Sequence, residues 1–304
     1  MAWCLTMSAS FFGSLEAMKY DSYHLVDFGE GRKLERFGDH LLIRPCPAAE
    51  NVQPAYPPAW PAAEASFHRR IGSNGRWQGS LDTETSWIIR LSQLQLELKL
   101  TPFGHVGLFP EHTQHWNWLA RCLELGRSKT SPPANILNLF AYTGASTLAA
   151  AAAGAMVTHV DGARNIVKWA RRNAELSKLG QAPVRWIAED VRKFVARELR
   201  RGSRYDGLIV DPPSYGRGPR GQLWKLDEHL PDLLAHCHQL IEPSPRLLLI
   251  SCHSSGWDAT RLRSLVREAM PSLDPNQIDA REVRLASEHG AELSAGHAVR
   301  WPSE

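Results

Sequence analysis

The sequence predicts an α/β fold, with a mostly parallel seven-stranded sheet, helices on both of its faces, and a small β-rich domain before it. After Pro110, short apolar segments alternate with helical patterns, which is the signature of parallel strands joined by crossover helices. Between Tyr23 and Leu100, short apolar stretches are instead broken by turn-forming residues. A hydrophobic content of 43% and a charged content of 22% are those of an ordinary globular chain.

The β-rich domain is predicted over residues 19–110, and residues 1–18 are predicted to be an N-terminal extension because a regular pattern begins only near Met18. The segment Leu94–Leu100 alternates apolar and polar residues, as a strand with one buried face does. The segment Cys46–Pro61 is rich in Pro and Ala and is predicted to be a loop. The predicted strands are His24–Phe28, Leu41–Arg44, Phe67–Arg70, Arg76–Gly79, Trp87–Arg90 and Leu94–Leu100.

The α/β domain is predicted over residues 111–304. Its predicted strands are Ile136–Phe140, Met156–Val160, Val184–Ala188, Leu208–Val210, Arg246–Ser251, Ile278–Leu285 and His297–Trp301. The predicted helices are Trp116–Gly126, Ser146–Ala153, Asn165–Leu179, Val191–Arg201, Asp227–Leu240 and Trp257–Ala269. In such sheets ligands bind outside the carboxyl ends of the strands, beside the point where the strand order reverses. Residues that directly follow the strands are therefore the candidates for a functional site.

Composition limits the class of protein and of partner. The net charge of +3 permits a nucleic-acid partner without establishing one. The five cysteines are scattered, with no C-x-x-C pair, which disfavours disulfides and structural zinc and favours a cytoplasmic location. His112 and His115 have helical spacing, but no carboxylate partner completes a set of ligands, so we expect no metal. No apolar run approaches the ~20 residues that cross a bilayer, so no membrane partner is expected, and the oligomeric state stays open.

Three residues at predicted strand ends indicate a site for an adenosine-containing cofactor. Gly144 lies where the first strand turns into a helix, so that the backbone can approach a ligand closely. Asp161 follows the second strand, where it can accept hydrogen bonds from both ribose hydroxyls, as in NAD enzymes. The absence of the fuller G-x-G-x-x-G motif favours a cofactor without a pyrophosphate, such as S-adenosylmethionine. Asp190 is predicted to meet the adenine amino group, to cap the following helix, or both.

The run Asp211-Pro212-Pro213-Ser214-Tyr215 is the most specific motif of the chain. Two consecutive prolines directly after a buried strand fix the backbone and remove two N–H donors. Backbone carbonyls and the Asp211 carboxylate are thereby left facing the cleft. That position predicts the place where a methyl donor and an acceptor base meet.

These motifs together resemble a known family. The run NLFAYTGASTLAAAAAGA, the segment VTHVDGARNIVKWARRNAEL, the motif YDGLIVDPPSYGRG and the strand LLLISCHSSG are similar to those of the bacterial 23S ribosomal RNA large-subunit methyltransferases that make 5-methylcytosine, and of their uncharacterised relatives. The segments KLERFGDHLLIRP and TPFGHVGLFPEHTQHWNWL resemble this wider family too, so the resemblance spans about Tyr23 to Trp301. It implies a Rossmann-like methyltransferase domain, S-adenosylmethionine as cofactor, and RNA, ribosomal RNA in particular, as substrate.

The resemblance also implies roles for residues at the matching positions. The segment Phe109–Glu111 is expected to line the methionine end of the cofactor, and Phe140–Gly144 to wrap its middle. Asp161 is expected to hold the ribose, and Asp190 the adenine. The full set of expected cofactor-binding residues is Phe109, Pro110, Glu111, Phe140, Ala141, Tyr142, Thr143, Gly144, Asp161, Gly162, Asp190, Asp211 and Pro212.

The acceptor atom stays open between carbon and nitrogen. Methylation of cytosine carbon 5 needs a thiolate that adds to carbon 6, and Cys252 at the end of the fifth strand is the predicted nucleophile, with Asp211 as its catalytic partner. His253 is expected to lower the pKa of that thiol, although most unpaired cysteines are simply small buried residues. Transfer to an exocyclic base nitrogen needs no cysteine and would use the Asp-Pro-Pro-Ser-Tyr motif, whose Tyr215 lies one position later than is usual.

The segment GRGPRGQLWK, which follows that motif, is Gly-rich and basic. It is predicted to be either a surface loop or a segment that orders on RNA, with Trp224 as a stacking surface. The predicted substrate-binding residues are Pro213, Ser214, Tyr215, Arg217, Arg220 and Lys225. More distant alternatives are an NAD-dependent oxidoreductase and a non-catalytic RNA-binding module.

Overall fold

The computed structural model describes residues 22–70, 73–125, 132–218, 221–241 and 243–303. The predicted extension over residues 1–18 lies outside the described residues. The N-terminal part forms a five-stranded sheet in the order β1-β2-β3-β4-β5. Its strands are β1 (Tyr23–Gly29), β2 (Arg32–Phe37), β3 (His40–Pro45), β4 (Ala65–Arg70) and β5 (Ser73–Gly79). Two short 3₁₀ helices, Pro47–Ala49 and Pro57–Ala62, occupy the β3–β4 connection, which the sequence predicts as a loop.

Strand β2 is an element of this sheet that the sequence analysis does not predict. Its sequence, RKLERF, is mostly charged and looks like part of a turn. Yet the Glu35 side chain is fully buried, because the Arg44 guanidinium donates two hydrogen bonds to its carboxylate, at 2.7 and 2.9 Å. Leu34 and Phe37 are buried as well. An internal ion pair thus allows a charged segment to lie inside the sheet, which periodicity alone does not reveal.

The strands β6 (Ser86–Leu91) and β7 (Leu94–Lys99) form a separate hairpin. The alternation predicted for β7 buries Leu96 and Leu98 in the same apolar cluster as Trp118 and Ile136 of the following domain. The hairpin therefore shares its core with the α/β part of the chain. The predicted division at residue 110 stays a prediction.

The main sheet has seven strands in the order β10-β9-β8-β11-β14-β16-β15. The strands are β8 (Asn135–Leu139), β9 (Met156–Asp161), β10 (Val184–Ala188), β11 (Gly207–Val210), β14 (Leu247–Cys252), β15 (Asp279–Ala286) and β16 (Glu292–Trp301). All neighbours are parallel except β16, which runs antiparallel to both β14 and β15. Two short strands, β12 (Tyr215–Arg217) and β13 (Leu223–Lys225), form a hairpin after β11.

In the described part of the chain, six α-helices cover the two faces of the main sheet. They are α1 (Thr113–Glu124), α2 (Ala145–Ala152), α3 (Arg164–Leu176), α4 (Val191–Arg200), α5 (Leu226–Ile241) and α6 (Ala259–Ala269). Apolar side chains of α1, α2 and α3 pack in one buried cluster, and those of α4, α5 and α6 pack in a second cluster. The predicted fold class, with helices on both faces of a mostly parallel sheet, is confirmed.

The strand order reverses at β8, which pairs with β9 on one side and with β11 on the other. The loops after β8 and β11 therefore diverge to opposite faces of the sheet and open a crevice at its carboxyl edge. No helix within the described segments has the length and the apolar character that crossing a membrane requires.

Candidate active site

The loop after β8 has an unusual backbone. Phe140 and Tyr142 adopt φ values of 55° and 47°, and Gly144 adopts 88°, so three of five consecutive residues are left-handed. Side chains disfavour this region by about 1 kcal/mol or more per residue, so such a loop persists only when its surroundings hold it. The hydrogen bond from Thr143 Oγ1 to the Gly107 carbonyl, at 2.6 Å, is one of these supports. Residues 140–144 of this loop all line a cavity that Asp211 also lines.

Asp161 ends β9 beside this loop. Its carboxylate accepts hydrogen bonds from the Tyr142 N–H at 3.0 Å and from the Ala163 N–H at 2.9 Å. Burial raises the pKa of Asp161 despite these two donors. A partly buried carboxylate that is held by backbone donors is well placed to accept further hydrogen bonds from hydroxyl groups, as the ribose assignment requires.

Asp190 caps helix α4. Its Oδ1 accepts a hydrogen bond from the Lys193 N–H at 3.1 Å. Asp190 is therefore the N-cap residue that the sequence analysis predicted as one of its two roles. The residue also lines the main cavity of the crevice. The two roles predicted for Asp190 are therefore compatible in geometry.

Asp211 directly follows β11 and is the centre of a polar cluster. Its Oδ2 lies 3.1 Å from His112 Nε2, and its Oδ1 lies 3.5 Å from His253 Nε2. The Ser251 hydroxyl donates a hydrogen bond to Oδ1 at 2.7 Å. Burial alone would raise the pKa of Asp211, but the two facing histidine rings outweigh burial and hold it well below its usual range. Asp211 is thus a carboxylate anion at neutral pH.

His253 lies between two carboxylates, because its Nδ1 is 3.6 Å from Glu111 Oε1 on the side away from Asp211. Burial lowers the pKa of this ring, whereas Asp211 and Glu111 raise it, and the net result is a pKa of about 9. The possible ligand atoms of His112, Asp211 and His253 lie within 4.8 Å of one another, a grouping that also suits a metal ion. Since His253 favours the protonated ring at neutral pH, we interpret the cluster as an ionic network. The absence of a metal stays a prediction.

A cavity of about 840 Å³ opens beside Asp211. A smaller cavity of about 40 Å³ continues it beneath the loop after β8. Phe109, Phe140, Tyr142 and Asp211 line both cavities. The N-terminal part of the chain contributes to the wall of the larger one through Pro47, Arg69 and His105, which the sequence analysis did not single out.

Most of the predicted site residues meet at these cavities. The predicted residues that line one or both are Phe109, Phe140, Ala141, Tyr142, Thr143, Gly144, Asp161, Gly162, Asp190, Asp211, Pro212, Pro213, Ser214, Tyr215 and Arg217. Pro110 and Glu111 are buried behind Phe109 and do not line either cavity. The Lys225 ammonium is paired with Glu228 at 2.7 Å, and Lys225 does not line either cavity. Arg220 lies outside the described residues.

Cys252 does not have the setting that the sequence analysis expected. Its side chain is fully buried among apolar residues, on the same side of β14 as Leu248 and Ile250. Burial raises the pKa of the Cys252 thiol, whereas a nucleophile needs a lowered pKa and access to its substrate. The nucleophilic role of Cys252 stays a prediction, and these observations weigh against it.

The role of Trp224 as a stacking surface stays a prediction, and although the residue lines the larger cavity, its burial weighs against that role. The ring is only 5% exposed, its Nε1 donates to the Pro213 carbonyl at 2.7 Å, and it packs on Phe140 with 4.7 Å between ring centres. The predicted loop is here the hairpin β12–β13, with Trp224 as its anchor. A large apolar side chain in a Gly-rich segment is the signal that could have indicated an anchored hairpin.

Comparison with known proteins identifies the family. The family model described as S-adenosylmethionine-dependent methyltransferase matches residues 51–273. The chain belongs to this family. It is a methyltransferase that uses S-adenosylmethionine, so the cofactor prediction is confirmed and the NAD-dependent alternative is excluded. The signal was already present in the motifs that follow β8 and β11.

Solved structures agree with this assignment. A methyltransferase from Agrobacterium tumefaciens, described as S-adenosylmethionine-dependent, is 37% identical, with a TM-score of 0.83 over 93% of this chain and 91% of that one. A protein from Streptococcus mutans with the description of a putative methyltransferase of the same kind is 16% identical, with a TM-score of 0.71 over 93% of this chain and 75% of that one. The second likeness concerns the fold alone.

Relatives with a named RNA substrate are more distant. Ribosomal RNA large subunit methyltransferase K/L of Pseudoalteromonas atlantica is 26% identical over 233 residues, which are 71% of this chain and 32% of that protein. Ribosomal RNA large subunit methyltransferase I of Aeromonas salmonicida is 30% identical over 162 residues, which are 53% of this chain and 40% of that protein. The chain thus matches well under half the length of these relatives.

One buried atom tests whether the site fits the cofactor. Glu111 Oε2 is buried without a hydrogen-bond partner among the described residues, close behind the cavity residues Phe109 and His112. A buried carboxylate oxygen without a donor is costly, and the ammonium of a methionine group is a donor that satisfies it. Asp161 and Asp190 supply two further carboxylate acceptors at the larger cavity, where hydroxyl and amino donors of S-adenosylmethionine would find partners.

Proposed function

We propose that the chain transfers a methyl group to an exocyclic amino nitrogen of a base in RNA, with Asp211 as the group that positions the acceptor. The observation that carries this proposal is the ionised Asp211 carboxylate at the cofactor cavity, while the Cys252 thiol is buried. A nitrogen acceptor needs a hydrogen-bond acceptor beside the methyl donor, and a carbon acceptor needs a thiolate. Only the first of these two groups is exposed to the cavity.

Asp211 and the following prolines suit an amino group. An amino group on a base donates two hydrogen bonds, and both are satisfied if the Asp211 carboxylate and the Pro212 carbonyl accept them. Two such bonds would turn the nitrogen lone pair towards the methyl donor. Since Pro212 and Pro213 carry no N–H groups, no donor of these two residues competes for the acceptors.

Tyr215 supports a base as the substrate. It is 55% exposed, which is unusual for a large aromatic residue, and it lines the cavity next to the Asp-Pro-Pro motif. Aromatic side chains in such positions stack on bases that have been turned out of a nucleic acid, worth about 1–3 kcal/mol per base. Arg217, also exposed at the cavity, supplies a charge for a neighbouring phosphate.

RNA is the substrate class that the relatives support. Both of the named relatives act, by name, on the large-subunit ribosomal RNA, and the part of each that matches includes most of this chain or about half of it. The net charge of +3 is compatible with a polyanionic partner. We therefore propose large-subunit ribosomal RNA as the substrate to test first.

The roles of the remaining site residues follow from this proposal. Asp190 would hold the adenine, Asp161 the ribose and Glu111 the amino-acid end of S-adenosylmethionine, which supplies an electrophilic methyl group. A nitrogen that has accepted the methyl group carries a positive charge and must release one of its protons. Asp211 is the nearest acceptor for that proton.

The test is methylation of unmodified large-subunit ribosomal RNA with isotopically labelled S-adenosylmethionine, followed by digestion to nucleosides and mass spectrometry. We expect label on an exocyclic amino nitrogen. Asp211→Asn should lower the rate by about 100-fold or more, because the amide replaces a charged acceptor at the reacting atom. Cys252→Ala, the matched control, should keep the rate within about threefold of the wild type, because the thiol is buried.

Three results would change this picture. Label on cytosine carbon 5 that is lost in Cys252→Ala would contradict the nitrogen proposal and restore the thiol mechanism. Loss of label in both variants, with normal binding of S-adenosylhomocysteine, would show that the buried cysteine is needed after all. Absence of label from ribosomal RNA in the wild type would reject that RNA as the substrate.

A further inference from the structure

The hairpin β12–β13 contacts three neighbouring parts of the cofactor cavity: the loop after β8, the loop after β11 and the start of α4. Trp224 packs on Phe140 of the loop after β8 and donates to the Pro213 carbonyl of the loop after β11. The Arg192 guanidinium, at the start of α4, donates to the Leu223 carbonyl at 2.7 Å. The hairpin is therefore held on three sides by the walls of the cofactor cavity.

Gly218 marks the closest approach between the hairpin and the predicted adenine residue. A Cβ at this position would lie 2.9 Å from Asp190 Oδ2 and 2.6 Å from Gln222 Oε1, both shorter than real Cβ contacts. The Gly218 backbone is not left-handed, so that conformation does not demand a glycine there. Space demands it, because the hairpin backbone lies directly against the Asp190 carboxylate.

Asp190 has little freedom to move away from the hairpin. Its Oδ1 is engaged by the Lys193 N–H at the start of α4, and the residue is only 8% exposed. A rotation that made room for a larger residue at 218 would break the helix cap. The position of the hairpin and the orientation of the Asp190 carboxylate thus depend on each other.

The same hairpin carries residues of the proposed acceptor site. Tyr215 and Arg217 lie on β12, and both line the main cavity. Arg217 directly precedes Gly218 in the sequence. One short element therefore joins the adenine end of the cofactor site to the proposed RNA contacts.

We propose that the hairpin β12–β13 is a shared wall of the cofactor and acceptor subsites, through which S-adenosylmethionine and RNA each strengthen the binding of the other. Gly218 is the positioning residue of this wall. The inference rests on the proposed function, in that it takes RNA as the acceptor and Asp190 as the adenine residue. Coupling of this kind is reciprocal, because the factor by which cofactor improves RNA affinity equals the factor by which RNA improves cofactor affinity.

The experiment measures two affinities on the full chain. Calorimetry gives the Kd for S-adenosylhomocysteine, and filter binding gives the Kd for unmodified large-subunit ribosomal RNA with and without saturating S-adenosylhomocysteine. In the wild type we expect saturating S-adenosylhomocysteine to lower the Kd for RNA by about fivefold or more. Gly218→Ala should weaken S-adenosylhomocysteine by about tenfold and abolish the effect on RNA affinity, with RNA affinity alone retained within about threefold.

The matched control is Gly180→Ala. Gly180 lies away from the site, and a Cβ there would make only ordinary contacts at 3.7 Å, so both affinities should stay at wild-type values. If Gly218→Ala does not fold, Arg192→Ala tests the same wall, because it removes the hydrogen bond to the Leu223 carbonyl. Arg192→Ala should lower the factor by which S-adenosylhomocysteine improves RNA affinity, and it introduces no steric clash with Asp190.

The outcomes separate this inference from the proposed function. Unchanged S-adenosylhomocysteine affinity and intact coupling in Gly218→Ala would overturn the shared wall. Equal RNA affinity with and without S-adenosylhomocysteine in the wild type would overturn it too. Asp190→Asn keeps a helix-capping side chain, so unchanged S-adenosylhomocysteine affinity in that variant would instead reject the adenine assignment. Absence of RNA binding by the wild type would reject the RNA substrate.

Discussion

At the scale of single residues, the distribution of charge around Asp211 determines what this site can do. A carboxylate and an imidazolium in contact stabilise each other's charged form, and His253 is held between Asp211 and Glu111. A protonated His253 is not a general base at neutral pH. Asp211 keeps its charge and, with a pKa well below its usual range, acts as a hydrogen-bond acceptor rather than a strong base. That balance favours an acceptor that is already nucleophilic, as an amino group is when its lone pair is correctly turned.

The raised pKa of His253 predicts a specific pH dependence of stability. The folded pKa is about 9, above the 6.5 of an unperturbed histidine, so the contribution of His253 is fully present below about pH 6.5 and is lost as the pH rises through about 9. Allowing for partial exposure of the ring, we expect this contribution to be about 1–2 kcal/mol.

The measurement is urea unfolding of the wild type and of His253→Gln between about pH 6 and about pH 10. The difference in free energy of unfolding between the two proteins should be largest at the acid end and should shrink towards the alkaline end. A difference that stays constant or grows with pH would mean that His253 is not the charged partner of Asp211.

At the scale of elements, strand β2 shows how an ion pair replaces hydrophobic periodicity. Burial alone would raise the pKa of Glu35, but Arg44 and Lys33 lower it to about 2. Tyr23 donates a further hydrogen bond to the same carboxylate at 3.0 Å. Without Arg44, the buried Glu35 carboxylate keeps only Lys33, 3.1 Å from its Oε1, as a charged partner, and weakening a buried pair in this way costs more than the pair itself contributes.

Arg44→Met should therefore destabilise the protein by about 3 kcal/mol. In the wild type, the contribution of Glu35 is present above its ordinary pKa of 4.5 and is lost as the pH falls towards 2. Thermal and urea unfolding at neutral and acid pH measure both effects. Arg172→Met is the control, because Arg172 and Glu175 form an exposed pair at 3.6 Å that should contribute under about 0.5 kcal/mol. An equal decrease in the free energy of unfolding in Arg44→Met and Arg172→Met would contradict this account of β2.

At the scale of the whole molecule, Asn173 joins three parts of the chain. Its side chain is fully buried, its Oδ1 accepts from the Glu97 N–H of β7 at 2.8 Å, and its Nδ2 donates to the Thr143 carbonyl at 3.0 Å. One amide on α3 thus ties the hairpin β6–β7 to the strained loop after β8. The N-terminal part of the chain thereby helps to hold the cofactor loop in shape.

Asn173→Ala should destabilise the protein by about 3 kcal/mol, because it leaves one buried and one half-buried backbone group without partners. It should also weaken S-adenosylhomocysteine, since Thr143 belongs to the cofactor loop. Ser177→Ala is the control: Ser177 also bridges α3 and β7, through both backbone groups of Gln95, but its hydrogen bonds are exposed to solvent and do not reach the loop. Ser177→Ala should lower the free energy of unfolding by less than about 1 kcal/mol and leave the affinity for S-adenosylhomocysteine unchanged, as unfolding and calorimetry would show. An unchanged affinity for S-adenosylhomocysteine in Asn173→Ala would show that the link from the hairpin β6–β7 to the loop after β8 does not affect cofactor binding.

The order of the strands and helices after Pro110, and the positions of Gly144, Asp161 and Asp211 at strand ends, could be predicted from the sequence, because periodicity and strand-end motifs are local properties of the chain. Strand β2 escaped prediction because its charges are compensated by residues on other strands.

Only the tertiary structure decided which side of β14 carries each side chain. The Ser251 side chain lies towards Asp211, whereas the Cys252 side chain is buried in the apolar cluster formed with α4, α5 and α6. The tertiary structure also brought His112 and His253 together, although they are far apart in the sequence and meet only where β11 and β14 end side by side. The physical reason is that the composition of a motif sets the chemistry available, whereas burial, facing and long-range charge set which of those groups can react.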